Sequence, residues 1–369
     1  MSVLIAGAGI AGLSAARALE MKGIECEVVE RRERPPTEGA GIFLLGNAAR
    51  ALGGLGLLDE VRSAAYPIAT QRILSSSGSV LNEVATANVW KGCGPCLALS
   101  RQSLVGILQT SLKPGTVSYG LEAVSTALRG EMRTVRFSDG REEEYDLVIG
   151  AAGVNSSLRN AVFGPNPARQ IGISCWRLLV RNNGEIDGWT AMLGNGRTLL
   201  GIPISERETY IYADCRLSDF GDGSVEVMKR LFSGFAAPLG PIVAALDPAT
   251  AVHRATLQEV AASRWIADRH VLIGDAAHAS SPSMAQGAGM AIEDAVVLAE
   301  LLSKGGPMDE ILQRFHQARI DRVSWVQEKA RARDKLRSGS SAVRTVILRL
   351  FGDTLYRRTY EPLTRPLLP

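Results

Sequence analysis

The stretch Val3-Leu4-Ile5-Ala6-Gly7-Ala8-Gly9-Ile10-Ala11-Gly12, with the Ala- and Leu-rich run to Met21 and then Cys26-Glu27-Val28-Val29-Glu30, decides the fold. Val3 to Ala6 reads as a short buried strand, Ile10 to Met21 as a helix, and Cys26 to Glu30 as a second strand. That is a β-α-β unit whose first turn matches G-x-G-x-x-G. Gly7 can make the tight turn, and Gly9 leaves the backbone open to a pyrophosphate. Gly12 lets helix and strand pack closely, while the helix N-terminus supplies N–H donors and partial positive charge. Ala11 belongs to the same cofactor-binding turn. Glu30 ends the second strand, where a carboxylate can accept both hydroxyls of an adenosine ribose, and Arg31 beside it joins the candidate set. An acid here disfavours a 2′-phosphate, so FAD or NAD suits this turn better than NADP.

Outward from this unit the chain changes texture. Pro35-Pro36 breaks the pattern, Asn47 to Leu57 reads as helical, and Ile68 to Asn88 alternates around an expected turn at Ser75-Ser76-Ser77-Gly78. Ser103 to Leu112 reads as a helix; Tyr145 to Ile149 and Val271 to Ile273 read as buried strands. Residues 170 to 260 mix strand-like runs with a helix near Val225 to Phe235. Gly287 to Leu302 reads as a helix, and the last sixty residues are rich in Arg and helix formers. Dinucleotide-type signals near residues 7, 150 and 275 thus interleave with sheet-like sequence. The expected fold is α/β, a Rossmann-like FAD-binding domain with an inserted mixed-sheet substrate domain and a C-terminal helical segment. The expected boundaries are 1–67, 97–169 and 259–305 for the discontinuous cofactor domain, 68–96 and 170–258 for the substrate domain, and 306–369 for the helical segment.

Composition suits a soluble globular protein. The 369 residues are 46% hydrophobic and 21% charged, and 41 Lys+Arg against 38 Asp+Glu leave a net charge of +3, so no basic excess points to nucleic acid. No run approaches the roughly 18 apolar residues of a membrane helix, and five cysteines in this length do not form a disulfide framework. The expected setting is the cytoplasm.

A second motif, Val271-Leu272-Ile273-Gly274-Asp275-Ala276-Ala277-His278, delivers Asp275 from a strand into a tight turn, where it can bond a ribityl hydroxyl. Pro282 and Gln286-Gly287-Ala288-Gly289 then lead into a helix whose N-terminal amides can face an anionic flavin edge. Together these motifs resemble the single-component FAD-dependent aromatic hydroxylases built like para-hydroxybenzoate hydroxylase. Supporting matches are Gly39-Ala40-Gly41-Ile42 with Asn47-Ala48-Ala49-Arg50-Ala51-Leu52, Ser100-Arg101-Gln102-Ser103-Leu104, and Met284-Ala285-Gln286-Gly287 with Ala291-Ile292-Glu293-Asp294-Ala295. The resemblance implies that Arg101 contacts FAD, that Gly41 lies near the flavin, and that Ala123 offers backbone to the adenine. It also implies NADH or NADPH as electron donor, O2 as co-substrate, and hydroxylation of an electron-rich aromatic or heteroaromatic small molecule through a flavin hydroperoxide. One position departs: Gly150-Ala151-Ala152-Gly153 has Ala152 where the family has Asp, in a motif that serves both FAD and the nicotinamide donor, while Asp146 and Arg159 keep their places.

Trp176-Arg177, Arg197 and Tyr210 stand out as polar or aromatic residues in apolar strands. Around Ala244-Ala245-Leu246-Asp247-Pro248 the chain is similar to bacterial FAD-dependent urate hydroxylases, in which an Arg and a Tyr near these places serve the substrate. Arg197 and Tyr210 are therefore the candidate catalytic pair, with the Arg197 spacing one residue longer than the likeness requires. Cys93-Gly94-Pro95-Cys96 copies a redox dithiol motif but adjoins no expected helix, so it reads as a loop with two thiols. His253, His270, His278 and His316 show no ligand spacing, and no metal is expected. The alternatives are a reductase or dehydrogenase on the same scaffold, or a flavin-binding protein without turnover.

Overall fold

The computed structural model describes residues 1–35, 40–164, 168–182, 184–260 and 264–368. Pro36 of the expected break and Gly39 of the Gly39-Ala40-Gly41 match lie outside them. The opening residues fold as read: strand Ser2–Ala6, helix Ile10–Met21 and strand Glu25–Glu30, the two strands being parallel with Ala6 opposite Val29. They belong to a six-stranded sheet ordered Ile266–Ala267, His270–Leu272, Leu147–Gly150, Ser2–Ala6, Glu25–Glu30, Val117–Tyr119. All neighbours in it are parallel except the first pair. Its central strands are apolar on both faces because helices cover both, as parallel sheets require.

A seven-stranded mixed sheet stands beside it, ordered His253–Glu259, Arg169–Arg181, Glu208–Arg216, Thr198–Pro203, Trp189–Leu193, Thr70–Ser75, Val80–Ala85. The Ser75–Gly78 turn closes the last hairpin, with Gly78 at a φ of +87°. The side chains of this sheet divide by alternation. Cys175, Ile202, Tyr210 and Tyr212 face the core shared with the dinucleotide sheet, while Trp176, Leu178, Leu199, Ile211 and Cys215 face a separate core under helix Val225–Phe232. This is the Rossmann-like architecture with an inserted mixed sheet that the sequence leads one to expect.

The expected strand Tyr145 to Ile149 is divided. Tyr145 ends a strand of a small antiparallel sheet, and Leu147–Gly150 joins the parallel one. Between them the Asp146 carboxylate accepts the Ser2 backbone N–H at 2.7 Å. The final segment forms two long helices, Met308–Ser338 and Ser341–Tyr360, seated on the two sheets. Among the described residues no helix is long and apolar enough to cross a membrane.

Candidate active site

The first turn is shaped by backbone contact. Gly7 sits at a φ of +117°, and a Cβ there would come within 2.6 Å of the Ala151 carbonyl oxygen. At Gly12 a Cβ would lie 1.8 Å from the Gly7 carbonyl, so helix and turn are in direct contact. Gly9 faces open space, with nothing within 4 Å of a Cβ placed on it. The turn is thus closed on the protein side and open where a pyrophosphate would approach the helix N-terminus. Glu30 reaches this turn, its Oε2 accepting the Ala8 N–H at 3.0 Å and its Oε1 the Arg32 N–H at 3.1 Å. Arg31 is exposed beside it, and Ala123 is buried at the start of strand Ala123–Arg129.

Asp275 opens the short helix Asp275–His278 directly after Gly274, which adopts a φ of +58°. A Cβ on Gly274 would meet Ala11 Cβ at 2.8 Å, so the two motifs abut. The Asp275 side chain is exposed, its Oδ1 3.9 Å from where a Gly287 Cβ would be. Pro282 and Gly287 are exposed and Ala288 half-buried along the same rim, where helix Gly287–Ser303 begins. Arg101 starts helix Arg101–Thr110, whose N-cap Ser100 accepts the Ser103 N–H at 2.9 Å. The surrounding protein lowers the Arg101 pKa, and Asp275 opposes that shift. Arg101 keeps solvent exposure within electrostatic reach of Asp275, Arg177 and Tyr210, so these groups border one open cleft.

Gln286 is placed by a buried network. Asn47 Nδ2 donates to Gln286 Oε1 and to Glu293 Oε1, each at 2.9 Å, and Gln286 Nε2 returns a bond to Asn47 Oδ1 at 3.0 Å. Gly289 has no side chain because a Cβ would lie 2.9 Å from Gln286 Oε1. Arg319, fully buried, bonds Glu293 and Asp294 at 2.8 Å each, and Asp294 also takes His278 Nε2 at 2.7 Å and the Gly274 N–H at 2.9 Å. His278 is buried and bonded into this network, its ring tilted 46° to that of Trp265. In the sequence Asn47, Gln286, Glu293 and Asp294 stand only as parts of the quoted motifs, with nothing to show that they bond one another.

Tyr210 comes to the cleft from the large sheet. It packs so closely on Gly41 that a Cβ there would lie 2.4 Å from Tyr210 Cβ. Burial pushes the Tyr210 hydroxyl up to about 12, with Arg177 and Arg101 near enough to pull the other way. Arg177 pairs across strands with Tyr212, and Leu179 with Tyr210, so Arg177, Tyr210 and Tyr212 share one face. Arg177 Nε is buried and has no hydrogen-bond partner.

Arg197 does not join them. It precedes strand Thr198–Pro203 with the parity of Leu199, on the opposite face of the sheet, and its Nη1 donates to the Leu231 carbonyl at 2.8 Å. The expected Arg197–Tyr210 pair is thus divided by the sheet, and the guanidinium beside Tyr210 is Arg177. The dithiol reading also needs one amendment, because a one-turn helix, Ala87–Trp90, does precede it. Both thiols follow that helix, where its dipole does not favour a thiolate. Burial raises Cys93 and pushes Cys96 up to about 12. Among the described residues no group of His, Cys, Asp and Glu is arranged to hold a metal.

An open glycine turn at a helix N-terminus, an acid at its ribose side and an exposed Asp275 beneath a second helix N-terminus fit FAD. The family model for the FAD binding domain matches residues 1–330. The chain belongs to the FAD binding domain family. It is 34% identical to 2-heptyl-3-hydroxy-4(1H)-quinolone synthase of Pseudomonas aeruginosa, covering 98% of this chain and 97% of that one. Its identity to FAD-dependent urate hydroxylase of Klebsiella pneumoniae is 31%, over 92% and 91%. The crystal structure of Klebsiella pneumoniae HpxO complexed with FAD and uric acid superposes with a TM-score of 0.91 at 28% identity, covering 100% and 98%. This FAD-family member is a flavoprotein of the aromatic hydroxylase and monooxygenase class.

Proposed function

We propose that the protein is a monooxygenase that takes electrons from NADH or NADPH and places one oxygen atom of O2 on an electron-rich, oxygen-bearing N-heteroaromatic ring, the second oxygen leaving as water. The observation that carries this reading is the shared face of Arg177 and Tyr210, set against Gly41 and Arg101. The relatives named for a quinolone and for urate support the ring class. Gly7, Gly9, Ala11, Gly12, Glu30 and Arg31 would hold the adenosine and pyrophosphate end of FAD, with Ala123 nearby. Gly41, Arg101, Asp275, Pro282 and residues 286–289 would hold the ribityl and ring end. Bound FAD supplies the redox chemistry and the activation of O2.

The chain's own part is orientation and charge. Tyr210 keeps its proton at neutral pH and so donates a hydrogen bond to a ring oxygen or nitrogen. Arg177 favours the ionised form of a ring hydroxyl, which is the electron-rich form. Ile202 and Tyr212 on the same buried face exclude water that would otherwise divert the oxygen to hydrogen peroxide. The test is turnover with a panel of hydroxy- and oxo-quinolines and purines, measuring product beside peroxide. Product formed in step with NAD(P)H consumption supports the reading; peroxide alone with every ring, or no flavin bleaching by either donor, contradicts it.

A further inference from the structure

We infer that the outer face of the large sheet holds a second ligand site, separate from the flavin cleft, which takes a phosphate-bearing small molecule. A cavity of about 440 Å³ opens there, walled by three arginines from three different elements. Arg197 comes from the start of strand Thr198–Pro203, Arg230 from helix Val225–Phe232, and Arg344 from helix Ser341–Tyr360. No carboxylate is among the described residues that line it, and none of the three arginines makes an ion pair with a described residue. Three like charges converging on one cavity repel, and the arrangement lacks the counter-charge that the molecule supplies elsewhere. Buried Arg319 meets Glu293 and Asp294, and Arg337 meets Asp214.

Arg344 is 3% exposed, and its outer nitrogens bond only the Arg337 and Gly194 carbonyls, at 2.9 Å each. Arg344 Nε and Arg197 Nε are both buried without a partner. Guanidinium groups held by backbone carbonyls keep their whole charge for a ligand. Hydroxyls of Ser341 and Thr345 stand on the same wall. Several cations with neutral donors suit a tetrahedral oxyanion of more than one charge, which is phosphate chemistry. The ligand is therefore either free phosphate or a phosphate ester whose body rests on the apolar part of the lining.

The test is calorimetric titration of the FAD-loaded protein with inorganic phosphate and with phenyl phosphate at fixed ionic strength. One equivalent of at least one probe is expected to bind. Arg230 is exposed and its loss spares the core, so Arg230→Gln should keep FAD content and melting temperature while raising Kd roughly ten- to a hundredfold, as loss of a charged hydrogen bond does. Arg129→Gln, on a distant exposed strand end, should bind as the wild type does. Tighter binding of phenyl phosphate assigns the site to an ester, and equal or weaker binding assigns it to free phosphate. No saturable binding of either probe, unchanged affinity in Arg230→Gln, or an equal loss in Arg129→Gln overturns the proposal.

Discussion

Tyr210 carries its proton at neutral pH because burial outweighs the pull of Arg177 and Arg101, and that makes it a donor to the ring. Tyr210→Phe removes the donor and keeps the shape that packs on Gly41. It should leave FAD content unchanged and lower kcat/KM by roughly thirty- to a thousandfold, the effect of about 2–4 kcal/mol of oriented polar contact. Arg177→Gln should act similarly, with the missing product replaced by peroxide. Arg197→Gln should leave rate and coupling near wild type, since the sheet lies between it and Tyr210. Steady-state kinetics on the three variants decide this, and a large loss in Arg197→Gln alone would reverse the assignment. The reason Arg197 misleads in sequence is physical. Side chains alternate across a strand, so a spacing one residue too long moves a residue to the other face. Glu30→Ala removes a carboxylate from the ribose end and should weaken FAD binding about ten- to a hundredfold. An unchanged FAD Kd would show that Glu30 serves only the Ala8 and Arg32 N–H groups.

Helix Gly287–Ser303 is tied to helix Met308–Ser338 by charges in the core. Arg319 is fully buried between Glu293 and Asp294, and Arg322 adds to Glu293 at 2.7 Å. Removing one member strands the others without water. Arg319→Met should therefore cost about 3–5 kcal/mol, read as a fall in the urea midpoint, and weaken FAD retention as the Gln286–Gly289 rim loosens. A cost below about 1 kcal/mol would mean that the rim stands without this network. Strands and helices with a clear period were legible beforehand, as were the glycine turn and the Asp275 turn. The network was not: Asn47, Gln286, Glu293 and Asp294 stand in the quoted motifs, but nothing local shows that they bond one another or that Arg319, from a distant helix, closes the set. The same holds for Arg177, visible as an oddity in a strand, whose face is fixed only by its pairing with Tyr212.

Acid stability of the protein reflects buried groups on both sheets. His270 lies fully buried in the dinucleotide sheet, its ring nitrogens without partners and Arg133 close by, and burial lowers it from 6.5 to about 3. The unfolded chain protonates this ring below about pH 6.5 and the native one does not, so His270 lowers stability as pH falls, by about 2 kcal/mol between pH 7 and 5. Asp214, raised to about 6 by burial that outweighs the opposing pull of Arg337, works in the opposite sense: the native state takes its proton first, which favours folding as pH falls through 6. Relative to wild type, His270→Leu should gain stability on acidification to pH 5, and parallel curves for the two proteins would contradict the burial argument. The most direct test of the functional reading joins the two sheets. Turnover of an oxygen-bearing quinolone or purine under 18O2, with NADH or NADPH, should place one labelled oxygen in the product, and Tyr210→Phe with full FAD content should lose that label to hydrogen peroxide. Product carrying oxygen from water, or label incorporation unchanged in Tyr210→Phe, would contradict it.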